Sequence, residues 1–144
     1  MKLVRTAVAT TVLAIAVASV ASVAMAAPAA KPVAPPVLKI KTANLGLVVA
    51  TKKKLGLYTW DKEKDFKVHC TGACAKQWPP VLLTKGERVK AMVAGIMGEF
   101  GTIRRPDGTT QLTWDKQPVY TFVGDTANVV KCDNVDGWHA VRAA

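Results

Sequence analysis

The chain carries one short pattern twice. In each copy a tyrosine, a threonine and a second aromatic residue are followed, in the same order, by an acid, a cysteine and a tryptophan. In both copies the cysteine comes twelve positions after the tyrosine. A repeated order of this kind predicts a fold built from two related halves. The members are Tyr58, Trp60, Glu63, Cys70 and Trp78 in the first copy, and Tyr120, Phe122, Asp125, Cys132 and Trp138 in the second.

The two aromatic pairs have the period of a β-strand. Residues i and i+2 of a strand share a face, so Tyr58 and Trp60 should point together, as should Tyr120 and Phe122. Aromatic side chains bury large areas, and burial is the common fate of strand aromatics. We therefore interpret the pairs as core residues. A stacking platform for a sugar, a base or a planar cofactor is the alternative.

The rest of the folded part is also rich in short strand-like runs separated by turns. The only helical segment that we predict is short, residues 71–77, and it is stopped by Pro79. Residues 85–98 are interpreted as a loop with a possible helical turn. The predicted fold class is mainly β: a small antiparallel β domain of two related halves, about 45–83 and 101–142, with one short helical turn around 71–77.

The N-terminus has the features of a targeting segment. Lys2 and Arg5 are followed by an uncharged run rich in alanine and valine, and Ala24-Met25-Ala26 resembles a cleavage site. Residues 1–26 are therefore predicted to be a signal peptide, which leaves no stable membrane span after cleavage. A retained anchor stays open, because the uncharged run is long enough to cross a bilayer.

Four prolines follow the predicted cleavage site, within residues 27–37. Proline at that density favours an extended, semi-rigid spacer. We assign residues 27–37 to a Pro/Ala-rich tether and residues 38–144 to the duplicated β-rich domain. The predicted location is the periplasm or the exterior of the cell.

The chain is basic, with a formal net charge of +10. Residues 1–26 contain two basic residues and no acid, so the mature chain would carry +8. A charge of that sign favours an anionic cell-envelope component such as phospholipid or an acidic polymer. Nucleic acid is not an expected partner, because no recognisable nucleic-acid module is present. The plainer interpretation is that the charge serves solubility.

Cys70 and Cys74 are spaced for a local bridge. If the segment is helical, the two residues lie one turn apart, about 6 Å along the axis, which is within reach of a disulfide. In an exported protein a structural disulfide is the expected state of such a pair. The repeat names a rival pairing, because Cys132 is the counterpart of Cys70 and a Cys70–Cys132 bridge would join the two halves.

The odd number of cysteines leaves a second possibility open. Three thiols together with His69 or His139 could bind copper, or zinc, or exchange thiols with a partner. The metal-ligand set would be Cys70, Cys74, Cys132, His69 and His139.

The sequence contains no recognised catalytic motif. Glu63 and Asp125 are interpreted as acids that accept hydrogen bonds from backbone N–H groups of the turn after each strand. The alternative is that the two acids form a paired-carboxylate active site, which requires both of them in one cleft. We therefore predict that the protein is not an enzyme.

Several strings of the sequence resemble a bacterial secreted-repeat family defined by a Tyr-x-(Phe/Trp/Tyr)-x-x-Asp motif. The strings are LGLYTWDKEKD, CTGACAKQWPPVL, FGTIRRPDGTTQLTWDKQPVYTFVGDTA and GWHAV. Many members of this family are described as predicted lipoproteins, and the family implies an exported protein without a settled biochemical role. The chain departs from the family pattern at Glu63, which replaces Asp, at Cys132, and in lacking a lipid-attachment cysteine.

The functional prediction follows from these points. We expect an exported cell-envelope protein that acts as a non-catalytic binding or structural module. A periplasmic copper-binding or thiol-redox protein is the alternative.

Overall fold

The computed structural model of the protein describes residues 30–143. The predicted signal peptide, residues 1–26, lies outside the described residues, as does the start of the predicted spacer. Within the described part, no helix combines the length and the apolar character needed to cross a membrane.

Short antiparallel strands make up most of the regular structure, so the prediction of a mainly β fold is confirmed. The helix α1 and a single 3-10 turn at Asp61–Glu63 are the other regular elements of residues 30–143. In chain order the elements are β1 (Val37–Thr42), β2 (Gly46–Thr51), β3 (Tyr58–Trp60), α1 (Ala73–Gln77), β4 (Leu82–Leu83), β5 (Phe100–Arg104), β6 (Thr110–Trp114), β7 (Gln117–Pro118) and β8 (Trp138–Ala140).

Each half begins with a hairpin. In the first half β1 pairs with β2, with Lys39 opposite Val49, and in the second half β5 pairs with β6, with Thr102 opposite Leu112. Side chains in β1 alternate, so Ile40 is buried while Lys39 is exposed. The two hairpins occupy equivalent places in the two halves.

After the hairpins the two halves exchange partners. The strand β3 of the first half pairs with β8 of the second half. In the opposite direction, the Val81 N–H donates to the Val119 carbonyl (3.1 Å), and the Thr121 N–H donates to the Pro79 carbonyl (2.9 Å). Each tyrosine segment therefore lies beside the tryptophan segment of the other half, and neither half completes its own hydrogen bonding.

The core divides into an aromatic and an aliphatic cluster. The aromatic cluster surrounds Tyr58, Tyr120, Trp78 and Trp138, and the aliphatic cluster surrounds Leu112 and its apolar neighbours. Both clusters contain residues of both halves, so the halves share one core rather than packing as two separate ones. Burial of these side chains supplies the main driving force for folding.

Local differences from the sequence prediction have simple causes. The helix α1 starts at Ala73, not at residue 71, because Gly72 adopts a left-handed φ of 56° that is incompatible with a helix. Residues 85–98 contain no helix. The first strand begins at Val37, inside the predicted spacer. The spacer also contacts the domain, because the Val33 N–H donates to the Arg88 carbonyl (2.9 Å).

Gly98 provides a test of how tightly the second half is packed. Gly98 has a φ of 85°, and a Cβ atom there would overlap the Trp114 indole. Gly46 has a similar φ of 71° but open space around it. We expect Gly98→Ala to lower the free energy of unfolding by about 1–3 kcal/mol more than Gly46→Ala, because only Gly98→Ala adds a steric conflict to the left-handed strain. Urea unfolding measures the loss of stability in both variants. Equal losses would contradict the close packing of Gly98 against Trp114.

Candidate functional site

The two motif tyrosines meet at the centre of the molecule. The Tyr58 N–H donates to the Tyr120 carbonyl (2.9 Å), and the Tyr120 N–H donates to the Tyr58 carbonyl (3.0 Å). Neither side chain is exposed to solvent. Because the two residues exchange both backbone hydrogen bonds, an approximate twofold axis passes between them.

Each tyrosine hydroxyl donates to the acid of the other copy of the motif. Tyr58 Oη donates to Asp125 Oδ2 (2.7 Å), and Tyr120 Oη donates to Glu63 Oε1 (2.9 Å). Both acids are buried. The four side chains therefore form two crossed hydrogen bonds that link the halves, and a hydrogen bond to an ionised carboxylate is stronger than a neutral one.

The acids also fix the loops that follow them. Glu63 Oε1 accepts the N–H groups of His69 (2.7 Å) and Cys70 (2.9 Å). Asp125 Oδ1 accepts the N–H of Lys131 (3.0 Å), which lies six positions after it, just as His69 lies six positions after Glu63. Each acid thus joins a loop of its own half to a tyrosine of the other half.

A buried arginine supports the loop beside Glu63. Arg105 is almost fully buried, and its guanidinium donates to the Cys70 carbonyl (2.9 Å) and to Gln111 Oε1 (2.6 Å). The guanidinium also lies 6.0 Å from the centroid of the Tyr120 ring. Arg105 is therefore an interior residue, whereas its neighbour Arg104 is exposed.

Burial shifts the proton affinities of this network. Removal from water raises the pKa of Tyr58, and its hydrogen bond to Asp125 raises that pKa further. Burial likewise raises the pKa of Tyr120, with the charge of Glu63 as the next cause. Burial also raises the pKa of Asp125, although the Tyr58 hydroxyl partly opposes this effect.

Stacked aromatic rings run through the core beside this network. Trp78 and Trp138, which are counterparts in the repeat, stack at the centre with centroids 3.9 Å apart and planes 7° apart. Trp60 stacks on Trp138 (5.0 Å), and Phe122 packs against Trp78 (4.7 Å) at the other end. The motif aromatics thus pack chiefly on one another, which is the core role that their spacing predicts.

The ends of this column have little free ring surface. Trp60 is half-buried, with Trp138 on one face and the Lys62 ammonium 5.0 Å from its ring centroid. Its indole N–H donates to the Asp136 carbonyl (3.1 Å). Phe122 is also half-buried. This packing leaves no broad aromatic platform at Trp60.

Cys70 and Cys74 form a disulfide, with Cα atoms 5.2 Å apart. Cys132 keeps a free thiol, is half-buried and packs against the aromatic cluster. The rival Cys70–Cys132 bridge does not form. Burial raises the pKa of the Cys132 thiol, and the nearby carboxylates of Asp125 and Asp136 raise it further.

The two histidines are held by other partners. His139 lies between Asn134 Oδ1 (2.8 Å) and Asp61 Oδ2 (3.0 Å), and the His69 ring contacts Asp65 (2.9 Å). Within residues 30–143, no three His, Cys, Asp or Glu side chains are grouped as metal ligands. The structure therefore does not bring together the ligand set that the sequence suggested for copper or zinc.

Exposed charge is mainly positive. Between residues 30 and 143, exposed lysines and arginines are more than twice as numerous as exposed acids, which are Asp61, Asp65, Glu99, Asp107, Asp115 and Asp136. Lys52–Lys54 form the turn after β2, and Lys39 and Lys41 project from the outer face of β1. No ion pair neutralises any of these five lysines within the described part of the chain.

Comparison with known proteins gives one match. A family model described as a secreted repeat of unknown function matches the chain twice, at residues 39–82 and 101–142. The two matched segments correspond to the two halves of the fold. No curated protein and no solved structure matches the chain significantly.

The crossed hydrogen bonds predict unequal costs for removing the two hydroxyl groups. Tyr58→Phe should lower the free energy of unfolding by about 1–3 kcal/mol, because Asp125 Oδ2 loses its donor inside the core. Tyr120→Phe should cost less, because Glu63 Oε1 keeps two backbone donors. Chemical denaturation of both variants at neutral pH measures the difference. A larger cost for Tyr120→Phe would contradict the hydrogen-bond assignment.

The raised tyrosine pKa values predict alkaline instability. Below pH 10 the phenols are neutral in both the folded and the unfolded chain, whereas above pH 10 only the unfolded chain releases these protons. Stability should therefore fall above pH 10 by about 1.4 kcal/mol per pH unit for each phenol, and Tyr58→Phe should remove one such contribution. Because the chain has only two tyrosines, phenolate absorbance should appear together with unfolding. Phenolate absorbance in the folded protein would contradict this prediction.

The cysteine arrangement predicts a simple thiol count. Protein purified from an oxidising compartment should show one thiol, slow to react at neutral pH because its pKa is raised, and three thiols after reduction in denaturant. Cys132→Ser should abolish the single thiol and leave the disulfide intact. Mass spectrometry of alkylated peptides identifies the site, and a free thiol at Cys70 or Cys74 would argue against the assigned bridge.

Proposed function

The chain belongs to a family of secreted repeats of unknown function, and on that premise we propose that it is a non-catalytic binding module of the cell envelope. The family makes the chain an exported protein. Its proposed partner is an anionic envelope component, either a phospholipid surface or an acidic polymer. The exposed lysines are the groups that bind it.

The observation that carries this proposal is the division of charge between core and surface. The motif tyrosines and acids are hydrogen-bonded to one another in the interior, where they have no access to a substrate. The acids therefore serve the scaffold, which argues against a paired-carboxylate mechanism. The surface charge that remains available to a partner is mainly positive.

The lysines at one end of the first hairpin form the strongest candidate contact, and we call Lys52–Lys54 the lysine turn. Its three ammonium groups are exposed, successive in the chain and free of ion pairs with any residue between 30 and 143. A cationic cluster near an anionic surface gains about 1 kcal/mol per lysine at moderate ionic strength. The predicted spacer, residues 27–37, enters β1 beside this turn, because Val37 lies opposite Thr51 in the hairpin.

The proposal predicts salt-sensitive binding to anionic vesicles. The mature protein should bind vesicles containing phosphatidylglycerol and should release them as salt rises. The triple variant Lys52→Gln, Lys53→Gln, Lys54→Gln should bind about tenfold to a hundredfold more weakly at low salt, as expected for the loss of three lysines. Vesicle co-sedimentation measures both effects.

A matched control separates the lysine turn from net charge. The variant Lys76→Gln, Lys85→Gln, Lys90→Gln removes the same charge from exposed positions elsewhere. It should weaken binding much less than the change at the lysine turn. If both variants lose the same vesicle affinity, net charge and not the lysine turn determines binding. If the protein binds neutral phosphatidylcholine vesicles as tightly as anionic ones, the proposal is overturned.

A further inference from the structure

A second surface, on the other hairpin, has an open sheet edge. The sheet that contains β5 has the order β4–β6–β5, so β5 has a neighbour on one side only. At the start of the strand the Phe100 N–H donates to the Ala91 carbonyl (2.7 Å), which covers the edge there. Beyond Phe100 the edge is uncovered.

The backbone groups that face this edge follow from the register. The Leu112 N–H donates to the Val81 carbonyl (2.8 Å), and its carbonyl accepts the Val119 N–H (3.1 Å), so both groups point away from β5. Thr102 lies opposite Leu112, and Thr102 therefore directs its N–H and C=O away from β6. Arg104, two residues on, does the same. Within residues 30–143 these four groups have no hydrogen-bond partner.

A groove follows β5 beside these groups. Two depressions of about 390 Å³ and 420 Å³ share Ile103 and are lined along β5 by residues from Glu99 to Pro106, and Thr113 of the neighbouring strand β6 also lines the first of them. Their other bank is the loop of residues 66–68. Gly101, which has no side chain, forms part of the floor. The residues that line the groove thus span the length of β5.

An exposed aromatic ring is held over this groove in a strained conformation. Phe66 has a φ of 62°, which is rare for a bulky residue, and nearly half of its surface is exposed. Its N–H donates to the Glu63 carbonyl (2.9 Å), so the anchored residue Glu63 holds Phe66 in this position. Lys116 also has a positive φ, 68°, and its ammonium lies 5.8 Å from the Phe66 ring. Backbone strain of this kind persists only where the surrounding structure imposes it, and it is frequent at ligand-binding sites.

The charges around the groove are mostly positive. Lys67, Arg104 and Lys116 line it as exposed cations, and Glu99 lies at one end. An occupant with acidic side chains therefore complements the groove. The outward N–H and C=O groups add a stricter requirement, because a polypeptide strand offers alternating donors and acceptors at matching intervals.

We propose that the open edge of β5 binds an extended acidic polypeptide, which adds to the sheet as a further strand. Its backbone pairs with Thr102 and Arg104, one of its apolar side chains packs on Phe66, and its acidic side chains meet Lys67, Arg104 and Lys116. This site lies on the β5–β6 hairpin, away from the lysine turn on the first hairpin. The inference therefore holds or fails independently of vesicle binding.

The first test uses the wild-type protein and a capped peptide of alternating valine and glutamate, about seven residues long. Amide hydrogen exchange is read at Thr102 and Arg104 by NMR. Both amides should exchange fast in the free protein and at least about tenfold more slowly when the peptide is bound, because each gains a hydrogen bond. Peptide binding without protection of these two amides would overturn the proposal.

The second test separates strand pairing from attraction between charges. Two versions of the peptide are N-methylated at alternate residues, so that only one version keeps the N–H groups that face β5. Their affinities should differ at least about tenfold, since their charges are equal. If the two peptides bind with equal affinity, or if inorganic polyphosphate competes with the unmodified peptide at equal affinity, the site is only a cationic patch and the proposal is overturned.

Variants at Thr102 give a matched pair. Thr102→Pro removes the outward N–H at an edge position, where proline is tolerated, and should abolish peptide binding. Thr102→Val keeps the N–H and should bind like the wild type. Thermal unfolding establishes that both variants are folded, and vesicle binding should be unchanged in both. The wild type could instead self-associate through this edge. If Thr102→Pro abolishes self-association and the peptide does not compete with it, the edge binds a second copy of the chain and the proposal is overturned.

Discussion

The fold depends on two crossed hydrogen bonds between the halves. A tyrosine hydroxyl in the middle of a hydrophobic core needs an acceptor, and a buried carboxylate needs donors. In this chain each tyrosine hydroxyl finds its acceptor across the approximate twofold axis, in the acid of the other half. The acids in turn fix the loops that lead to the cysteines. The aromatic column packs alongside, so folding of one half requires the other half to be in place.

The sequence predicted the parts of this arrangement that depend on local spacing. The period-2 aromatic pairs, the two related halves and the mainly β fold follow from the residues themselves. The identity of the hydrogen-bond partners did not follow, because an ordered list of residues in each copy does not say that Tyr58 meets Asp125 rather than Glu63. Arg105 was missed for the same reason: its neighbour Arg104 is exposed, and only the tertiary fold turns Arg105 inward to the Cys70 carbonyl.

The cysteines illustrate the competition between local and long-range order. The repeat aligns Cys132 with Cys70, whereas the nearest thiol to Cys70 along the chain is Cys74. A bond between residues four positions apart closes a small loop and needs little ordering of the chain, whereas a bond between the halves needs the complete fold first. The local Cys70–Cys74 disulfide forms, and the two halves are joined by hydrogen bonds and by aromatic packing instead.

The exchange of segments between the halves also has a consequence for chains that meet one another. Every molecule carries both kinds of segment, so a chain that opens can be completed by a neighbour as well as by itself. Within one chain, residues 83–100 tether the two matched segments and give them an effective concentration of about millimolar or more, well above that of separate molecules in dilute solution. That concentration favours closure within the chain, because the contacts are the same in both cases. Shortening the tether until it no longer spans the halves would convert the same contacts into those of a domain-swapped dimer.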